Sequence, residues 1–161
     1  MDNNNINNKE ILSKSIKEII TLISNNRLSE AENKALNLLS NFPDSFVIND
    51  LIGSINVKKN NLNNAVKFFT KAIKIKPSFI GANHNLGVVK QKLGNYEEAI
   101  KYFKKTIELK PDFFLAYNNF GLTLNLQGKY LEAILEFKNA IKYKFDYAEG
   151  YFNLGFTYQK L

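Results

Sequence analysis

The sequence predicts an all-α solenoid, a row of helical hairpins stacked side by side, and three observations predict it. Pro43, Pro77 and Pro111 stand 34 residues apart. At the same period glycine recurs at Gly53, Gly87, Gly121 and Gly155, and alanine at Ala31, Ala65, Ala99 and Ala133. Between them fall Asn26, Asn60, Gly94 and Gly128, residue types that readily take the left-handed backbone at the end of a helix. A fixed period of this size marks a repeat architecture, in which each unit buries its apolar face against its neighbours.

The frame divides residues 10–161 into copies at 12–45, 46–79, 80–113 and 114–147, with a half copy at 148–161. The Asn-rich residues 1–9 are expected to be disordered. Within a copy the first helix runs to the Asn or Gly at the fifteenth position. Its seventh position is apolar, with Ile52, Leu86, Phe120 and Leu154, and faces Phe69, Phe103 and Phe137 at the twenty-fourth. Small residues at the eighth and twentieth positions let the two helices of a hairpin approach closely. The second helix carries Glu30, Glu97, Glu98 and Glu132 in its first turn, where a helix N-terminus favours negative charge. Asp44, Ser78, Asp112 and Asp146 at the thirty-third position are expected to cap the next first helix.

Four departures from the pattern carry expectations of their own. The first copy has Glu18 at the apolar seventh position and Ile19 where glycine recurs, so its hairpin is expected to be looser or shifted. The second places Asn49 and Asn56 where apolar or aromatic residues are expected, and each needs a hydrogen-bond partner if buried. In the fourth, Phe145 replaces the proline, so the second helix is expected to run on or stagger. The half copy supplies a first helix whose Tyr151, Leu154, Gly155 and Tyr158 have no second helix to face. That stripe implies either a piece of a longer protein or pairing with another copy, and a homo-oligomer through 148–161 is therefore one expectation.

Composition narrows the chemistry. The chain has 161 residues, 45% of them hydrophobic, with no Cys, no Trp and one His. The absence of cysteine excludes disulfides, a thiolate nucleophile and a Cys-based zinc site, and suits the cytoplasm. The start has no basic stretch leading into an apolar one, and no apolar run of about 18 residues exists, so neither a secretory signal nor a membrane span is expected. The net charge is +7, but Arg27 is the one arginine among 22 basic residues. Forked recognition of phosphate and guanine leans on arginine, so the excess reads as a solvated lysine surface and no nucleic-acid partner is expected. Lys67, Lys71, Lys74, Lys101, Lys104, Lys105, Lys138 and Lys142 recur on the outer face of the second helices. Docking of that ridge onto an acidic surface stays open as the minor alternative.

Leu86-Gly87, Ala99, Phe103 and Pro111 in the third copy, and Tyr117, Phe120-Gly121, Ala133, Phe137 and Ala140 in the fourth, resemble the signature of the tetratricopeptide repeat family. The resemblance covers nearly everything after the Asn-rich start. It implies a right-handed α-solenoid of tetratricopeptide helical hairpins with a concave groove formed mainly by the first helices. In that family the sixth position faces the groove, and here it holds Asn85, Asn119 and Asn153. His84 and Asn118 stand at the fifth position, Val88, Leu122 and Phe156 at the ninth, and Gln91, Asn125 and Gln159 at the twelfth.

A carboxamide both donates and accepts, so a column of asparagines can hold an extended backbone whatever its side chains. The repeat style resembles the asparagine-lined arm of O-linked N-acetylglucosamine transferases. It implies a scaffold that binds an extended peptide or protein segment, or alternatively the substrate-presenting arm of a larger glycosyltransferase, sulfotransferase or oxygenase, or a self-associating array. Asparagine is also abundant throughout, and asparagine before Leu-Gly is a common family choice without ligand contact. The fifth and sixth positions of copies two to five hold no Lys or Arg to grip a terminal carboxylate, whereas Lys17, Lys58, Lys92 and Lys160 near the groove edge leave an acidic ligand open. His84 lacks the His, Cys or carboxylate neighbours that metal binding or acid–base work requires. No phosphate loop or nucleophile elbow appears, and no catalysis, cofactor or metal is expected.

Overall fold

The computed structural model describes residues 2–161, with side chains from residue 10 onward, so the expected disorder of residues 1–9 falls outside the fully described residues. Every element among the described residues is an α-helix. The chain divides into two compact units, Met1–Pro77 and Ser78–Leu161.

The first unit contains α1 (Asp2–Ser24), α2 (Leu28–Asn41), α3 (Phe46–Lys58) and α4 (Leu62–Ile75). Ile19, Ala31, Ala35, Leu38, Ile48, Ile52 and Ile55 form one core, with Leu12, Ile16, Leu51 and Phe68 packed on its margin. The first hairpin is looser, as expected: α1 and α2 meet over less of their length than α3 and α4 do, although a core still closes between them. Ile19 is fully buried, and the residue at the twenty-fourth position of this copy is the small Ala35, so volume has been exchanged across the pair. Glu18 is not in the core; its carboxylate takes the Lys34 ammonium across the hairpin.

The second unit contains α5 (Ile80–Lys92), α6 (Tyr96–Leu109), α7 (Phe114–Leu126), α8 (Tyr130–Tyr143) and α9 (Ala148–Tyr158). Its core joins Ala99 and Phe103 of α6, Phe120 and Leu124 of α7, and Ala133 and Phe137 of α8. Here α5 packs on α6 and α7 on α8, α9 packs on α8, and α5, α7 and α9 also meet in sequence along one side. None of these helices is long and apolar enough to cross a membrane.

The first helices end as their sequences require. Asn26 and Asn60 have φ of 57°, Gly94 78° and Gly128 74°. Around each, paired bonds close the last turn: Asn60 N donates to Val57 O and Asn61 N to Asn56 O, and Gly128 N to Asn125 O and Lys129 N to Leu124 O. Capping at the other end differs from expectation. The first helices begin one residue later than the thirty-third position implies, with Ser45, Phe79, Phe113 and Tyr147 at the cap, and Ser45 alone uses its side chain, accepting from Ile48 N. The rings at that position, half-buried at Phe79 and Phe113 and buried at Tyr147, offer no polar cap.

Tyr147 also explains why α8 does not run on. It stops at Tyr143, as α6 stops at Leu109, although Phe145 stands where the proline should be. Tyr147 N donates to Lys144 O, as Phe113 N does to Lys110 O, so the same turn forms. The Tyr147 ring is buried edge-on against Phe114, 4.9 Å between centroids, and the Lys144 ammonium lies 4.9 Å over the Phe114 ring. Burial of the ring holds the turn that proline's restricted φ would otherwise set. In the second copy, buried Asn49 and Asn56 find partners for their NH2 groups, Ser45 O for one and Ile52 O and Glu32 for the other; neither Oδ1 has one.

Candidate functional site

The repeat places residues of the same register on the same side of α5, α7 and α9, so the expected groove positions come together within the second unit. They do not all reach the surface. Asn118 was expected to line the groove, but it is 1% exposed and held between helices. Its Oδ1 accepts from Asn153 Nδ2 at 2.9 Å, and its NH2 group points to Glu149 at 3.4 Å, a carboxylate that also takes the Tyr147 hydroxyl at 2.9 Å. His84, the other fifth-position residue, is half-buried and wedged between rings, its centroid 5.1 Å from Phe113 and 6.0 Å from Phe103. Burial lowers its pKa below the usual 6.5, so it is neutral at physiological pH.

The column of amides is cross-strapped. Asn119 Nδ2 meets His84 Nε2 at 2.9 Å, the same relation that Asn153 makes with Asn118, so the sixth position of one copy bonds the fifth of the copy before it. A second strap repeats beside the first. Gln91 Nε2 donates to Thr123 Oγ1 at 2.8 Å, and Thr123 Oγ1 donates to Asn119 O; Asn125 Nδ2 donates to Thr157 Oγ1 at 2.7 Å, and Thr157 Oγ1 donates to Asn153 O. Each seam between first helices thus carries the same two bridges. Asn119 and Asn85 remain half-buried, while Asn153 is 9% exposed, so the three amides do not present equal rungs to a guest. Val88 is half-buried and packs on the margin of the core.

What the structure does open is a depression of about 530 Å³. Five of the expected residues line it: Gln91, Leu122, Asn125, Asn153 and Phe156. Phe152, Leu126 and Tyr130 join them from positions the sequence reading passed over. Phe152 was within reach of that reading, because it occupies in α9 the fifth position that His84 and Asn118 hold in earlier copies. Leu126, Phe152 and Phe156 are 59%, 71% and 49% exposed. The rings of Phe152 and Phe156 stack at 6.4 Å with 13° between planes. Lys92 and Lys160 stand at the rim, the latter 5.1 Å over the Phe156 ring. Among the described residues, no group of three or more His, Cys, Asp or Glu is placed to hold a metal.

Profiles of the tetratricopeptide repeat match residues 48–79, 82–113, 102–135 and 121–161. No curated protein matches the chain. Among solved structures, it is similar to the MamA protein, with a TM-score of 0.82 at 18% identity over 94% of this chain and 83% of that one. It is similar to PilF of Pseudomonas aeruginosa, with a TM-score of 0.89 at 15% identity over 96% and 70%. It is also similar to YrrB, described as a TPR protein with an unusual peptide-binding site, with a TM-score of 0.74 at 25% identity over 90% and 75%. These likenesses show the fold, an all-α array of tetratricopeptide hairpins.

Proposed function

The chain carries tetratricopeptide repeats, and from that premise we propose that it is a protein-interaction scaffold that takes an extended segment of a partner along the α5, α7 and α9 face. One observation carries the reading: Leu126 of α7 and Phe152 and Phe156 of α9, all large and apolar, stand exposed around one depression of about 530 Å³. Depressions of roughly 300–1,000 Å³ with apolar walls and a few fixed polar groups are the usual form of a binding site. Uncovered apolar clusters on a folded surface mark places where something docks. The peptide-binding site ascribed to YrrB supports the same reading.

The asparagine column plays a smaller part than its spacing suggests. Asn119 and Asn153 each have one NH2 bond engaged with the preceding copy, which leaves fewer groups for a guest backbone. Backbone capture in the manner of the O-linked N-acetylglucosamine transferase arm is thus not where this scaffold would draw its affinity, and the apolar depression is. The reading assigns no catalysis to the array.

Selection of a random peptide library on the purified chain tests the proposal. Enriched peptides are expected to bind the wild type and to lose most of their affinity for Phe156→Ser, whose side chain is half exposed and whose loss leaves the core intact. Failure to enrich any peptide, or equal binding to the variant, would reject the groove.

Association between copies is a second reading with its own support. Leu131 and Leu135 of α8 are 72% and 58% exposed, and Tyr151 and Tyr158 of the adjoining α9 53% and 49%. Light scattering across a concentration series would show a mass above that of the monomer if this face pairs.

A further inference from the structure

The groove reading does not say what chemistry the partner segment carries, and the depression does. Resting on that reading, we infer that the guest is a protein segment presenting a bulky apolar side chain, aromatic for preference, next to one or more carboxylates. Three features of the site lead there.

The amide donors of the wall are already engaged, and the Asn125 Oδ1 is the wall's buried acceptor without a partner. The NH2 groups of Gln91, Asn125 and Asn153 are tied to Thr123, Thr157 and Asn118. A site whose amides are fixed in this way recognises side chains more than backbone, so affinity must come from the apolar walls and from charge.

The walls favour a ring. Phe152 and Phe156 lie nearly parallel, 6.4 Å between centroids, and line the depression together with Leu122 and Leu126. Aromatic rings gain from offset or edge-on contact beyond the area they bury, and a third ring added to such a pair makes both kinds of contact available.

The rim is positive without counter-charge. Lys92 and Lys160 are the charged residues that line the depression, and no carboxylate lines it. Lys90, two residues before Lys92 on the same helix, is paired with Glu98 at 2.6 Å and lies outside the depression. Among the described residues neither Lys92 nor Lys160 is in an ion pair, and both are exposed. Uncompensated charge of one sign at the mouth of an apolar recess draws and orients an oppositely charged guest.

The test uses four fluorescein-labelled peptides of equal length, three with a central Phe flanked by Glu, by Gln or by Lys, and one in which Ser replaces Phe between the Glu residues. Polarisation is read against the whole chain at low and high salt. The Glu-flanked Phe peptide is expected to bind about fivefold tighter than its Gln counterpart, as two exposed ion pairs would give, and the Lys-flanked peptide weakest. The preference should collapse at high salt and in a Lys92→Gln, Lys160→Gln double variant, and the Ser peptide should bind poorly throughout. Equal binding of the Glu and Gln peptides, or a preference that persists in the double variant, would overturn the inference. The groove reading would then still stand if all three Phe peptides bound the wild type and lost affinity for Phe156→Ser. Absence of binding by every peptide would overturn the inference, while the library selection would judge the groove separately.

Discussion

A β-carbon placed on Gly121 would lie 2.7 Å from the ring of Phe137, and the pairs Gly87 with Phe103 and Gly53 with Phe69 repeat this contact at 2.7 and 2.6 Å. These glycines are therefore set by the ring across the hairpin, not by an unusual backbone. All three rings are fully buried and cannot step aside without disturbing their neighbours.

Substitution Gly121→Ala is accordingly expected to destabilise the fold. Overpacking costs about 1–3 kcal/mol and outweighs the roughly 1 kcal/mol that alanine gains over glycine in a helix. Gly155 stands at the same register in α9, where nothing lies within 4 Å of the added carbon, so Gly155→Ala should stabilise by roughly 0.5–1 kcal/mol. Urea denaturation of the two variants checks the contrast. The first copy shows the alternative solution, Ile19 against Ala35, and Gly121→Ile combined with Phe137→Ala should be less damaging than the two changes summed.

Position four of the copies offers a stabilising change. Tyr117 stacks on Tyr143 at 5.4 Å and donates its hydroxyl to Pro111 O at 3.0 Å. Asn49 holds that register in the second copy, beside an open space of about 480 Å³ lined by Leu39, Pro43 and Ile75, and its Oδ1 is buried without a partner. Asn49→Tyr should fill that space and remove the orphan acceptor. A gain of about 0.5–2 kcal/mol, read as a rise in thermal midpoint, is the expected result.

The straps between first helices predict a structural cost for removing the amides. Asn153→Ala deletes the bond to Asn118 and leaves the buried Asn118 Oδ1 without its donor, so a loss of about 1–3 kcal/mol is expected. A double-mutant cycle with Asn118→Ala should show coupling, because the two side chains share one bond. Unfolding curves in which the two changes simply add would contradict the strap. Joint replacement of Asn85, Asn119 and Asn153 by alanine therefore cannot serve as a silent probe of peptide binding.

His84 gives the second unit a pH dependence with a definite sign. Its pKa is lowered on folding, chiefly by burial, so the unfolded chain binds its proton more readily than the folded one. The contribution to stability is complete above the unfolded value of 6.5 and is lost as pH falls from there through the lower folded value. Subtracting the stability curve of His84→Gln from that of the wild type should leave a decline beginning below about pH 6.5. A difference curve flat across that interval would show that burial of the imidazole does not bear on folding.

What the sequence determined by itself is the repeat and its punctuation. Period, small residues and left-handed positions are local or strictly periodic signals, and one chain displays them several times over, so Asn60, Gly94 and Gly128 could each be assigned their turn before any contact was known. Tertiary structure alone decided which register positions face outward. Asn118 and Phe152 share the fifth position, yet one is sealed beneath Asn153 and the other stands in the open, because a side chain's exposure depends on the neighbouring copy that covers it. The same holds for Tyr147, whose burial ends α8 where no proline does, and for the amides, whose donors are engaged by the adjacent repeat. Spacing along a chain places a residue on a face, but only packing between helices settles what that face meets.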